Sequence, residues 1–197
     1  MKKILLAVCF ALSATAAQAT IVSGNGYLSL NDTGTVTFSG DINDVVLGAT
    51  GGYLGQLSAT QDTILEVTYL GKEAANKNFY VQSSVNVFNT DLSSIGDVQV
   101  FDISAGLIDF GFTGNGGLSA NNATGLNLGH IAYIVNGAEY GVSGYDFIIG
   151  FNDGGSLDGD FDDVVVGVNA VPVPAALPLM ASALAMFGVA RRRKTLA

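Results

Sequence analysis

From Gly26 to Val168 the chain is cut into short apolar stretches by clusters of Gly, Asn, Asp and Ser, and no long amphipathic helical repeat runs through it. That punctuation constrains the fold more than any other feature. Stretches of roughly four to eight residues, rich in Val, Ile, Tyr, Phe and Thr and bounded by turn formers, read as strands. Glycine is abundant, 26 of 197 residues, without a collagen period. Charged residues make up 13%, against about 25% in a typical globular chain. A helical bundle needs Glu, Lys and Ala on its surfaces. The composition therefore predicts an all-β fold, a single β-sandwich or jelly roll. A β-solenoid would need a repeat of about 20 to 50 residues, and none is visible.

Taken in order, residues 26–30 and 33–38 read as two strands around an Asn31-Asp32-Thr33-Gly34 turn. Residues 48–55 read as a glycine-rich loop carrying Tyr53. Residues 63–70 alternate, with Leu65, Val67 and Tyr69 on one face and Glu66 and Thr68 on the other. Residues 71–77 are polar and long enough for a turn or two of helix. Residues 79–88 return to strand chemistry. Residues 97–103 and 107–112 are apolar on both faces, which predicts central positions. Residues 111–129 hold little but Gly, Asn, Ser and Thr and read as a long surface loop. Within it, Asn122-Ala123-Thr124 is a glycosylation sequon. Residues 130–135, 145–151 and 164–168 complete about ten strands, the last two forming a hairpin.

The connection of that hairpin carries the one constellation with chemistry in it. Asp153, Asp158, Asp160, Asp162 and Asp163 put five carboxylates into eleven residues. In an extended segment Asp158, Asp160 and Asp162 point the same way, roughly 7 Å apart. Like charges so placed repel, and a hard cation removes that penalty. Calcium takes oxygen ligands from carboxylates, carbonyls and water. Gly154, Gly155 and Gly159 let the backbone curl toward such an ion. The segment is no EF-hand: counted from Asp158, position six is Asp163 and position twelve is Asn169. A solvated acidic turn that keeps an edge strand soluble is the other reading. The segment resembles the acidic lead-in to the last strand of some secreted bacterial domains, which implies the same metal role for these carboxylates. Residues 40–48 echo residues 159–167 at six of nine positions, which suggests two equivalent lead-ins on paired strands, with Asp41 and Asp44 at the same or a second site.

Other chemistries are poorly supplied. Past residue 19 there is one histidine, His130, and no cysteine, so a His/Cys zinc site is impossible. No Gly-x-Ser-x-Gly elbow exists for a Ser-His-Asp triad. The chain has no Trp to build a sugar platform, although Tyr27, Tyr53, Tyr133, Tyr140 and Tyr145 are able to stack. Two lysines against seventeen acids leave residues 20–190 at a formal charge of −15. Such a surface does not hold phosphate backbones, so no nucleic-acid partner is expected. The reading is a non-catalytic protein.

Both ends look like export signals. Lys2 and Lys3, the apolar run 4–12 and Ala17-Gln18-Ala19 form a signal peptide over residues 1–19, a substrate for signal peptidase. Residues 20–170 are then the secreted domain, and residues 171–197 a separate tail. That tail begins Val171-Pro172-Val173-Pro174, continues as an uncharged apolar run over 175–190, and closes on Arg191, Arg192, Arg193 and Lys194. As a helix the run reaches roughly 24 Å, a little short of the roughly 30 Å hydrocarbon layer, with the cations held at one side. The tail resembles the PEP-CTERM sorting signal of Gram-negative bacteria in its VPLPA-like variant, with Val173 where Glu is usual. The resemblance implies an exosortase as processing partner, transient membrane anchoring, and delivery to the cell surface or extracellular polysaccharide. Two functions stay open: a surface or matrix protein stiffened by calcium, and a carbohydrate-binding module.

Overall fold

A computed structural model describes residues 20–23, 25–38, 45–46, 48–73, 76–114, 118–123, 130–135, 143–154, 159–172 and 186. Thirteen strands are found among them: β1 (Thr20–Val22), β2 (Leu28–Thr37), β3 (Gly51–Ala59), β4 (Thr63–Gly71), β5 (Phe79–Gln82), β6 (Val85–Asn89), β7 (Val98–Ile103), β8 (Gly106–Leu107), β9 (Phe110–Thr113), β10 (Ser119–Asn121), β11 (Ile131–Val135), β12 (Phe147–Phe151) and β13 (Val164–Val171). They form two antiparallel sheets, so the expected all-β class holds. The larger runs β1-β2-β3-β11-β12-β13-β4-β7, with β8 beside β3. The smaller runs β10-β9-β5-β6.

Period-two patterning builds the space between the sheets. Leu65, Val67 and Tyr69 of β4 are buried there, as are Leu28, Leu30 and Leu57 from the same sheet. Tyr80, Phe88, Phe110 and Phe112 meet them from the smaller sheet, and Phe112 stacks on Phe151 at 5.0 Å. This shared core is what a sandwich requires. The larger sheet is also covered on its outer face. Phe38, Val46, Ala49 and Phe161 pack there on Ala132, Ile134, Ile148 and Val165. With both faces covered, β12 is buried at every position. Val164 and Val166 enter the inner core and Val165 the outer one, so the last strand is pinned from both sides.

Several strand limits differ from the sequence expectation, each for a local reason. The Asn31–Gly34 turn is no hairpin: β2 runs straight through it with a register shift between Asp32 and Gly34. The Asp32 carboxylate closes this bulge by accepting the Gly34 N–H at 2.8 Å. The expected loop at 48–55 becomes a strand from Gly51 onward. A Cβ on Gly51 would sit 2.7 Å from the Val36 carbonyl oxygen, and one on Gly52 2.7 Å from that of Tyr133. These glycines serve close strand approach, not looseness. Residues 79–88 are a hairpin, because Ser83 and Ser84 both adopt left-handed backbone, φ 48° and 66°, as a two-residue primed turn demands. Residues 71–77 show no helix where they are described. The expected surface loop at 111–129 contributes to β9 and β10 at its start.

The central position expected for 97–103 is wrong. β7 is an edge strand, and Val98 and Val100 turn to solvent. Nor do the echoed segments lie on paired strands, because Val45 and Val46 form no strand at all. The hairpin of the last two strands holds, with β12 pairing β13 antiparallel. Residues 1–19, read above as a signal peptide, and the tail from Val173 onward, including Pro174, Arg191, Arg192 and Arg193, lie outside the described residues except for Met186. Val171 ends β13 and Pro172 follows it. Among the described residues no helix is long and apolar enough to cross a membrane.

Candidate metal centre

Two connections meet at one end of the sandwich. The first leaves β4 at Gly71, which has a left-handed φ of 146°, and crosses to the smaller sheet. Lys72 is paired there with Asp91 at 3.5 Å. The next backbone N–H, that of Glu73, donates to the Asp162 carbonyl at 2.9 Å. The second connection is the acidic one between β12 and β13. Its start is held by a reciprocal pair, with the Asn152 N–H on the His130 carbonyl and His130 Nδ1 2.9 Å from the Asn152 carbonyl oxygen. Its end is held by Phe161, buried against Phe38 with ring centroids 5.4 Å apart.

Alternation does the rest. With Phe161 turned into the outer core, its neighbours Asp160 and Asp162 turn the other way, toward Glu73. Carboxylate oxygens of Glu73, Asp160 and Asp162 all lie within 4.8 Å of one another. Asp162 has no solvent exposure, and neither of its oxygens receives a hydrogen bond. Its carboxyl is pushed up to about 8, first by burial, then by Asp160, which is close enough to share a proton and also repels its charge, and then by Glu73 and Asp163. Asp163 is likewise pushed up to about 7 by burial and by the charges of Asp153 and Asp160, against the opposing effect of the Asp153 N–H. That N–H donates to Asp163 Oδ2 at 2.6 Å.

An ionised carboxylate without solvent or donor is costly unless a cation compensates it. Two oxygens on one calcium ion, each about 2.3 to 2.6 Å from it, lie at most about 5 Å apart. The Glu73–Asp160–Asp162 spacing satisfies that limit, and an all-oxygen donor set suits a hard cation. This cluster is able to hold a metal ion.

The five carboxylates singled out in the sequence divide accordingly. Asp160 and Asp162 join the cluster. Asp153 and Asp163 pair beside it, and the Asn76 side chain also reaches Asp153, at 3.4 Å. Asp158, Asp41 and Asp44 lie outside the described residues. Glu73 was not foreseen. It stands 87 positions before Asp160 in the sequence, and no local pattern links the two.

Asn122 is a different kind of site. It is wholly buried. Its amide donates to the Leu57 and Ile108 carbonyls at 2.6 and 2.7 Å, and its oxygen accepts from the Leu57 N–H and the Tyr133 hydroxyl at 2.7 and 2.9 Å. The folded domain therefore offers no glycan acceptor at this sequon. Tyr133 is core, while Tyr27, Tyr53 and Tyr145 are half-buried; Tyr140 is outside the described residues. No family model matches the chain, and no curated protein or solved structure matches it.

Proposed function

We propose that the chain is an exported, non-catalytic surface or matrix protein whose β domain is stabilised by calcium. Glu73, Asp160 and Asp162 are the ligands, and Asp153 and Asp163 add negative charge around them. The observation that carries this reading is the wholly buried Asp162 carboxylate, unbonded and turned toward two other carboxylates. A cation here ties the β4-to-β5 crossover to the lead-in of β13. It thus bears on how the two sheets hold together. Thermal melting of the protein with calcium and with a chelator tests it. At a hundredfold excess over Kd, a single site adds about 2.7 kcal/mol, a rise on the order of 5–10 °C. An unchanged midpoint would falsify the calcium reading.

Export and sorting rest on the two ends of the sequence. In this reading signal peptidase removes residues 1–19 and an exosortase processes the tail near Pro172-Val173-Pro174. Mass spectrometry of the surface-exposed protein is expected to find no peptide beyond that motif.

A second reading, a carbohydrate-binding module for extracellular polysaccharide, is favoured by one observation. The outer side of the smaller sheet has a cavity of about 270 Å³ lined by Ser83, Ser84, Asp109, Thr113, Ser119 and Asn121, among others. Glycan-array binding lost on Asp109→Ala supports this reading, and silence across the array rejects it.

A further inference from the structure

At its C-terminal end β13 outruns one of its neighbours. β12 begins at Phe147, opposite Val168, while β13 continues along β4 to Val171. The Val168 carbonyl accepts the Asp146 N–H at 2.9 Å. Backbone groups two residues apart on a strand point the same way, so the N–H and C=O of Ala170 face the side where β12 has ended. Side chains serve them there. The Asp146 carboxylate accepts the Ala170 N–H at 2.9 Å. The Asn25 amide donates to the Ala170 carbonyl at 2.9 Å and to Asp146 Oδ2 at 2.8 Å. Asn25 is held in turn, because its Oδ1 accepts from the Ser23 hydroxyl at 2.8 Å and from the Tyr27 N–H at 3.0 Å. One side chain thus clasps the connection between β1 and β2 to the last residues of β13. Pro172 follows Val171, so a pull on the chain beyond it loads this clasp first.

The residue after Asn25 is Gly26. Asparagine before glycine is chemically labile, because no side chain shields the following backbone nitrogen. Here the space that a Cβ on Gly26 would occupy has no neighbour within 4 Å. When the Gly26 nitrogen loses its proton to solvent, it can attack Asn25 Cγ. The N–Cγ bond forms, the Cγ–Nδ2 bond breaks, and ammonia leaves. Water then opens the cyclic imide to aspartate or isoaspartate. The closed clasp holds this reaction back. Four hydrogen bonds fix the Asn25 amide on its partners, and the Gly26 N–H is committed to the Ser23 carbonyl at 2.9 Å. The product cannot restore the clasp. A carboxylate has no N–H to donate, and it would face two acceptors, the Ala170 carbonyl and the Asp146 carboxylate, the second with like charge. We propose that Asn25–Gly26 is a one-way latch on the end of β13: guarded while closed, converted to a carboxylate once the strand end comes away, and unable to close again.

The test uses the full chain, with conversion at Asn25 followed by peptide mapping in mildly alkaline buffer. The free peptide Ser-Gly-Asn-Gly-Tyr, the sequence of residues 23–27, sets the unguarded rate. In the folded protein Asn25 is expected to convert roughly tenfold more slowly, because the reaction waits for local opening. Asp146→Ala removes one acceptor and is expected to recover most of the peptide's rate. If that variant fails to fold, urea below the unfolding transition gives the same reading on the unaltered chain, where conversion should accelerate. Asn25→Asp installs the product. Its Ala170 amide is expected to exchange with deuterium roughly tenfold faster than in the unaltered chain, with a lower melting temperature. Conversion in the folded chain at the peptide's rate, no acceleration by either Asp146→Ala or urea, or unchanged Ala170 protection in Asn25→Asp overturns the proposal.

Discussion

Asn122 and Asp162 are both buried to zero exposure, yet they stand in opposite relations to their surroundings. Asn122 makes four side-chain hydrogen bonds, to the Leu57 N–H and carbonyl, the Ile108 carbonyl and the Tyr133 hydroxyl. Asp162 makes none. The first is a finished joint between β3, the approach to β9, and β11. The second is a buried carboxyl with no donor beside it, set among Asp160 and Glu73. A buried polar residue with every partner in place adds to stability, whereas a buried carboxyl without a donor lowers it unless it is protonated or paired.

The comparison is open to direct attack, and the largest effect is expected at the finished joint. Asn122→Ala strands the Leu57 N–H and the buried Tyr133 hydroxyl, and is expected to lower unfolding free energy by about 4 kcal/mol in urea. The loss should be the same with calcium and with chelator. Asp162→Asn does the reverse. It should abolish the calcium increment of about 2.7 kcal/mol while raising metal-free stability, because the cost of burying that carboxyl is gone. If Asp162→Asn keeps the increment, Asp162 is no ligand.

Titration separates the two sites again. The Asp162 carboxyl is raised from 3.8 to about 8, and Asp163 moves the same way. The folded state thus binds protons more tightly than the unfolded state between those values. Metal-free stability is therefore greatest at acid pH and falls as pH rises toward 8. Calcium holds the carboxylates ionised and should flatten or invert that slope, whereas Asn122→Ala should leave it unchanged. Urea midpoints across pH with and without calcium read this out. The smallest effect is expected from Glu73→Gln, on an exposed side chain: about tenfold weaker calcium binding by calorimetry, near 1.4 kcal/mol, with metal-free stability unaltered.

What could be read in the sequence follows from how far each signal reaches. β4 and the last hairpin were legible because Leu65, Val67 and Tyr69 alternate and Val164–166 is unbroken. β3 was not, because Gly51, Gly52 and Gly55 look like loop residues until the neighbouring carbonyls that exclude a Cβ are in place. The Ser83-Ser84 turn was missed because serine is a weak turn signal where Asn-Gly is usual. β7 was misplaced because apolar residues on both faces suit an unblocked edge as well as a centre. At the candidate site, Asp160 and Asp162 announced themselves by spacing. Glu73 did not, since a contact between distant segments leaves no local trace.

The strand order has a consequence for how this molecule comes into being. β13 is the last of the described strands, yet it lies between β12 and β4 in the larger sheet. Until it arrives, β4 and β7 have no lateral link to β3, β11 and β12. A nascent chain therefore has no way to close its major sheet before residue 171 is available. Such distant pairings also slow the final step. The two halves of the larger sheet are joined only when β13 slides into the gap between β12 and β4.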